Sequence, residues 1–303
     1  MRAFALALLL PLLASTALAT KPEPQEVELH FMPQPGDKLR QTISMNMQMI
    51  MNTLPGPDMT EEQRTRLLEN AKRMGKGVTT SMAMVMRTEA SEADAKGDYL
   101  LHLRGEGGKF QTQVADQPPK DTPNPLGNLE LDVLTNTSNQ EFHVLRTKSV
   151  LPALPDKAID GLAHSVLKQA FGAMSGLEGR HMKIGDSVEI PFDLQMPIAQ
   201  FPAKGPANVT TVYTLRTIRQ GIATFDTAVK MEMGLAINEG QPQKVNVTTN
   251  GSGTGTLEYR IADHLPLRHD MNVTTHTSVQ LPSGASTQVD TKMAMRSRAE
   301  RYR

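Results

Sequence analysis

The sequence predicts a mainly β protein with two helices (α+β), its strands forming a strongly curved antiparallel sheet or open barrel packed on those amphipathic helices. Three observations carry this. Methionine recurs at every second residue in four stretches: Met45-Met47-Met49-Met51, Met82-Met84-Met86, Met231-Met233 and Met293-Met295. Spacing of two puts side chains on one face of a strand, whereas a helix needs three or four. Apolar alternation continues through much of the remaining chain, and two stretches carry a helical stripe instead.

Residues 1–19 read as a secretory signal. Arg2 gives the positive start, Ala3 to Leu13 the apolar run, and Ala17-Leu18-Ala19 the small-x-small cleavage site. The run is too short to span a bilayer, and no later segment is apolar enough for a transmembrane helix. Cleavage after Ala19 leaves residues 20–303 as a single β-rich domain. The chain has no cysteine, which excludes disulfides, thiol catalysis, thiolate metal sites and a lipid-bearing cysteine. A secreted eukaryotic protein of this size usually carries disulfides, so the expected place is the bacterial periplasm or exterior.

In the mature chain, Val27, Leu29 and Phe31 share one face. Pro35-Gly36-Asp37 then turns into a long strand from Leu39 to Met51. A helix follows, with Thr60 as its cap, Gln63 at the capping-box position, and Leu67, Leu68, Ala71 and Met74 as its stripe. Gly75 and Gly77 end it, and Val78 to Met86 resumes strand. Tyr99, Leu101 and Leu103 mark another strand, Gly105 to Gly108 read as a hairpin turn, and Phe110 to Val114 as the strand after it. Residues 116–128 hold four prolines and read as an exposed loop. A second helix is expected from about Asp156 to Ser175.

Ile184-Gly185-Asp186 echoes Pro35-Gly36-Asp37, and alternation at Val188, Ile190, Phe192, Leu194 and Met196 follows it. The echo admits two related halves, about 25–150 and 155–300, within the one domain. Further strands are expected at 208–218, 222–233, 244–249, 255–261, 267–275 and 286–296, with Gly251 to Gly255 as a flexible connection. An outer-membrane barrel is not expected, because aromatic girdles and a terminal aromatic residue are missing and helices interrupt the strands.

Positive and negative side chains balance at 32 each, with four tyrosines and no tryptophan. Neither a long-range field nor stacking platforms for nucleic acid are present. Arg296, Arg298, Arg301 and Arg303 form the single charge cluster, read as a solvated tail or a contact for anionic headgroups. Gly105-Glu106-Gly107-Gly108-Lys109 lacks the spacing of a phosphate loop, and no helix follows it. The eight histidines do not cluster, and no Gly-x-Ser-x-Gly elbow occurs. A non-enzymatic role follows, and no motif calls for a cofactor.

The methionine rows admit three readings. They fill an irregular core; they line an apolar pocket for a lipid, acyl chain or other hydrophobic ligand; or Met-x-Met binds Cu(I), with His30-x-Met32 and His269-x-Met271 as imidazole partners. In the pocket reading, Met45, Met47, Met49, Met82, Met84 and Met86 line it, joined by Met231 and Met233. An envelope protein partner is the remaining alternative, in a structural or scaffolding role.

The Pro-Gly-Asp turn, the methionine-alternating strand after it, Gly255-Thr256-Leu257-Glu258-Tyr259 and Leu265-Pro266-Leu267 resemble an uncharacterised family of exported bacterial β-rich proteins. That family implies no catalytic residues. In architecture the expected sheet and helices are similar to periplasmic lipoprotein carriers and mycobacterial lipid-binding lipoproteins, which implies a carrier of apolar ligands.

Overall fold

The computed structural model describes residues 25–124, 128–137, 142–148, 176–193, 203–204, 207–237 and 244–302. The expected signal segment, the second helix and strand positions Leu194 and Met196 lie outside them. In chain order the elements are β1 (Glu26–Glu28), β2 (Lys38–Leu54), α1 (Glu61–Met74), β3 (Val78–Ala90), β4 (Asp98–Val114), β5 (Lys120–Pro123), β6 (Glu130–Asn136) and β7 (Phe142–Lys148). There follow β8 (His181–Lys183), β9 (Ser187–Asp193), β10 (Ala203–Lys204), β11 (Ala207–Arg219) and β12 (Ile222–Ile237). The last are β13 (Val245–Arg260), a single 3₁₀ turn at Ile261–Asp263, β14 (Leu265–Gln280) and β15 (Ser286–Arg301).

Eleven strands form one antiparallel path, β7-β6-β4-β3-β2-β15-β14-β13-β12-β11-β9, with β5 added beside β4 and β10 beside β12. The last long strand therefore docks on the first, Met293 facing Met47 and Met295 facing Met45. Among the described residues the path does not close, and its edge strands β7 and β9 run the same way, so these two cannot pair antiparallel with each other. Bacterial outer-membrane barrels of one chain avoid this with even strand numbers.

Both Gly-Asp turns are built alike. Asp37 Oδ2 accepts the Gln34 N–H at 2.9 Å, and Asp186 Oδ2 accepts the Lys183 N–H at 2.8 Å. Gly36 (φ +81°) donates to Ala90 O while Ala90 donates to Asp37 O; Gly185 (φ +98°) and Asp186 repeat both bonds with Leu215. The left-handed backbone at these positions is the reason for glycine. Each turn thereby fastens the start of one strand to the end of another.

Two apolar clusters sit at this end of the sheet. One joins Val27 and Leu29 to Leu215, Phe225, Leu257 and Tyr259; the other joins Met32 to Tyr99, Leu101, Leu131 and Val133. The segment from Val27 to Met32 thus reaches both. Burial of a Leu or Phe such as Leu101 or Phe225, both at 0% exposure, is worth about 1.5–3 kcal/mol.

Four sequence expectations need correction. Gly105 to Gly108 is not a hairpin turn: β4 runs straight through it with a bulge, where Ala83 faces Lys109 and Val85 faces Glu106. One extra residue shifts the apolar phase from Tyr99, Leu101 and Leu103 to Phe110 and Val114 without reversing the chain. Gly251 to Gly255 is not a connection but the middle of β13. A Cβ on Gly253 would stand 2.6 Å from Asn272 O, and one on Gly255 would overlap Asp270 O. The bare backbone is what lets β14 approach so closely. The proline-rich loop contains β5, paired with Lys109 to Thr112 of β4 on the outside of the strand path, where Pro123 need not donate to a central ladder. The arginine cluster is not a tail either. Arg296 and Arg298 project from β15 within the sheet, facing Ser44 and Thr42.

Helix α1 begins as the sequence predicts. Thr60 Oγ1 accepts the Gln63 N–H at 3.3 Å and Gln63 Oε1 accepts the Thr60 N–H at 3.0 Å, a reciprocal capping box. Leu67 and Ala71 are half-buried, but Leu68 stays exposed. Among the described residues α1 is the only α-helix.

Candidate functional site

The odd-numbered positions of β2 and the even-numbered positions of β3 share one face of the sheet. Register extends that face across the chain in rows. Met82 faces Met45, Met45 faces Met295, and Met295 faces Met271, four thioethers on four adjoining strands. In the next row Thr80, Met47, Met293, Val273 and Gly253 follow one another; in the next, Val78, Met49, Thr291, Thr275, Gly251 and Met231. Neighbouring strands stand about 4.8 Å apart, so these side chains touch the same space.

Burial along these rows is uneven: Val78, Thr80 and Val273 are buried beside methionines that are not. Met84 is 4% exposed and faces Ile43, in the row that continues to Leu257 and Phe225. Met45, Met47, Met49, Met82 and Met86 are only half-buried, as are Met293 and Met295. Of the residues named from sequence, the structure brings Met45, Met47, Met49 and Met82 into one patch and assigns Met84 to the core. Met86 lies beyond Met84, opposite Gln41 and Gly105. Met231 and Met233 share the face but stand across the glycine strip, opposite Gly251 and Thr249. Sequence reasoning left Met271, Met293 and Met295 out of the site. The Met293-x-Met295 spacing and the His269-x-Met271 pair were signals in themselves, and the pairing of Met271 with Met295 and of Met295 with Met45 brings them to the patch.

The opposite face is polar. Asn46, Gln48, Lys292, Asn272 and Thr274 project there and, with Met47, Met293 and Val273, border an open hollow of about 510 Å³ around Ala294. Ion pairs run over this face, among them Arg268–Asp270 at 2.5 Å and His276–Asp290 at 2.7 Å.

A hydrogen-bonded group closes the end of the sheet beneath the clusters. Glu178, with 8% of its side chain exposed, meets His30 Nδ1 at 3.0 Å and accepts the Phe31 and Met32 N–H groups at 2.7 and 3.1 Å. The Tyr259 hydroxyl accepts the His30 N–H at 2.8 Å and lies 3.0 Å from His264 Nδ1. Burial, with the Glu178 charge adding to it, raises the Tyr259 phenol above its ordinary value; burial also pushes Tyr99 up to about 12. Arg301 ties β15 down by pairing with Asp37 and with Asp263. Hydrogen bonding from Arg260 holds the Asp263 carboxyl below the usual range. These groups satisfy one another, as structural networks do.

No family model matches the chain, and no curated protein matches it. Among solved structures it is similar to Pseudomonas aeruginosa OccK5 (OpdH), at 8% identity and a TM-score of 0.22, over 89% of this chain and 100% of that one. It is also similar to OccK11 (OpdR) of the same organism, at 6% identity and a TM-score of 0.21, over 91% of this chain and 100% of that one. Likenesses this low carry no argument about activity.

Proposed function

We propose that this is an exported, non-enzymatic protein of the bacterial cell envelope that binds an apolar ligand, a lipid or acyl chain, on its methionine face. One observation carries the reading: Met45, Met47, Met49, Met293 and Met295 adjoin one another on paired strands and are neither packed into the core nor replaced by polar residues. Unbranched thioethers adapt to a flexible chain better than β-branched side chains do. The polar reverse face makes the binding one-sided, as in an antiparallel sheet with one solvated surface.

At about 0.8 kcal/mol per fully buried methylene, some ten methylenes supply at most roughly 8 kcal/mol, from which the open side of the face and the cost of association subtract. Titration of a fluorescent fatty acid into the protein tests this. Saturable binding is expected, weakened about tenfold when Met47→Gln and Met293→Gln together put two amides on the face. Unchanged binding in that variant would remove the face from the account.

A further inference from the structure

His269 stands apart from the other described histidines with placed partners. His30, His102, His181 and His276 each lie within ion-pair distance of a carboxylate, and His264 meets the Tyr259 hydroxyl. His269 Nε2 is buried with no hydrogen-bond partner among the described residues. A buried nitrogen left unpaired costs about 1–3 kcal/mol, so its persistence calls for a reason.

The surroundings are rich in sulfur. His269 faces Ser297 and Leu257 on the apolar side of β14. Two residues on, Met271 shares that side and opens the row Met271, Met295, Met45, Met82. Asp270 alternates to the other face, where Arg268 engages it. Among the described residues, no three His, Cys, Asp or Glu side chains converge as a metal site.

We propose that His269 Nε2, with the thioethers of Met271 and Met295 and with Met45 beside them, forms a binding site for a soft monovalent metal ion, Cu(I) or its analogue Ag(I). Every ligand is neutral, so the site carries no anionic ligand to favour a divalent ion. Thioether and imidazole donors select soft monovalent metals over Zn(II), Mg(II) and Ca(II). Three rotatable bonds let methionines on strands about 4.8 Å apart converge on one ion. Met271 is 9% exposed while Met295 and Met45 are half-buried, which leaves a route in from the open part of the face.

The test is an anaerobic titration of the full mature protein with Cu(I), held reduced by ascorbate and competed with a chromophoric Cu(I) chelator, with Ag(I) followed in parallel by native mass spectrometry. One ion per chain is expected, with no uptake of Zn(II). His269→Gln and the isosteric pair Met271→Leu, Met295→Leu should each weaken binding at least tenfold, the scale on which even outer partners of a metal act. Thermal melts of the apo variants check that they fold, and Met231→Leu should bind as the parent does. Absence of binding, uptake of several ions, or an affinity indifferent to His269 and Met271 would overturn the site. Because Met47 and Met293 are not ligands here, the fatty-acid titration can fail or succeed independently.

Discussion

Asp37 and Asp186 make the same set of hydrogen bonds in two turns far apart in the sequence, but only Asp37 also receives an arginine. Its Oδ1 meets Arg301 while Oδ2 caps the turn; Asp186 is exposed and does the capping alone. An amide oxygen can still accept the turn's N–H but cannot attract the guanidinium. Asp37→Asn should therefore lower unfolding stability by about 1–2 kcal/mol, and Asp186→Asn by less than about 0.5. Urea denaturation of the two variants checks the contrast, and equal losses would contradict it.

Two glycines separate close approach from mere flexibility. A Cβ on Gly255 would overlap Asp270 O, whereas one on Gly234 would meet nothing within 4 Å. Gly255→Ala should cost about 1–3 kcal/mol through forced backbone shifts. Gly234→Ala should be neutral or stabilise by about 0.4–1 kcal/mol, by restricting the unfolded chain. Midpoints of thermal unfolding for the pair decide it.

Met84 and Met47 should part company in the same way. Met84 sits in the packed row beside Ile43, while Met47 lies on the half-buried patch. Met84→Ala is expected to cost about 2–5 kcal/mol, and Met47→Ala less than about 1. If both cost the same, the patch is core and the ligand reading loses its basis.

The His269 imidazole is held below its unfolded value of 6.5 by burial. Above pH 6.5 it is neutral in both states and contributes no pH dependence. As pH falls below 6.5 the unfolded chain gains a proton first, so stability drops until the folded-state value is passed and then levels. Denaturation of the parent and His269→Gln between pH 7.5 and 5 should show a shallower decline in the variant. Parallel curves would contradict the burial of this group.

Much of the fold was legible locally. Thr60 and Gln63 announced their helix, and the Gly-Asp pairs announced their turns, because each signal acts within a few residues. Gly105 to Gly108 misled because a one-residue phase slip in apolar alternation looks like two strands with a turn, though a bulge makes the same slip. The glycines of β13 kept phase with Val247 and Leu257, yet composition alone reads them as a linker; their role depends on β14 backbone that lies elsewhere in sequence. The candidate patch was half legible for the same reason. Met45, Met47, Met49 and Met82 could be named from spacing, but only the pairing of β15 with β2 adds Met293 and Met295, and that is a contact between opposite ends of the chain.

The central claim is that the methionine face carries an apolar ligand. Native and denaturing mass spectra of the mature protein, purified from a bacterial periplasm, test it most directly. The account predicts an excess mass that matches a lipid or fatty acid, survives gentle ionisation and disappears on denaturation. A bare protein mass, unchanged after incubation with palmitate, would contradict it.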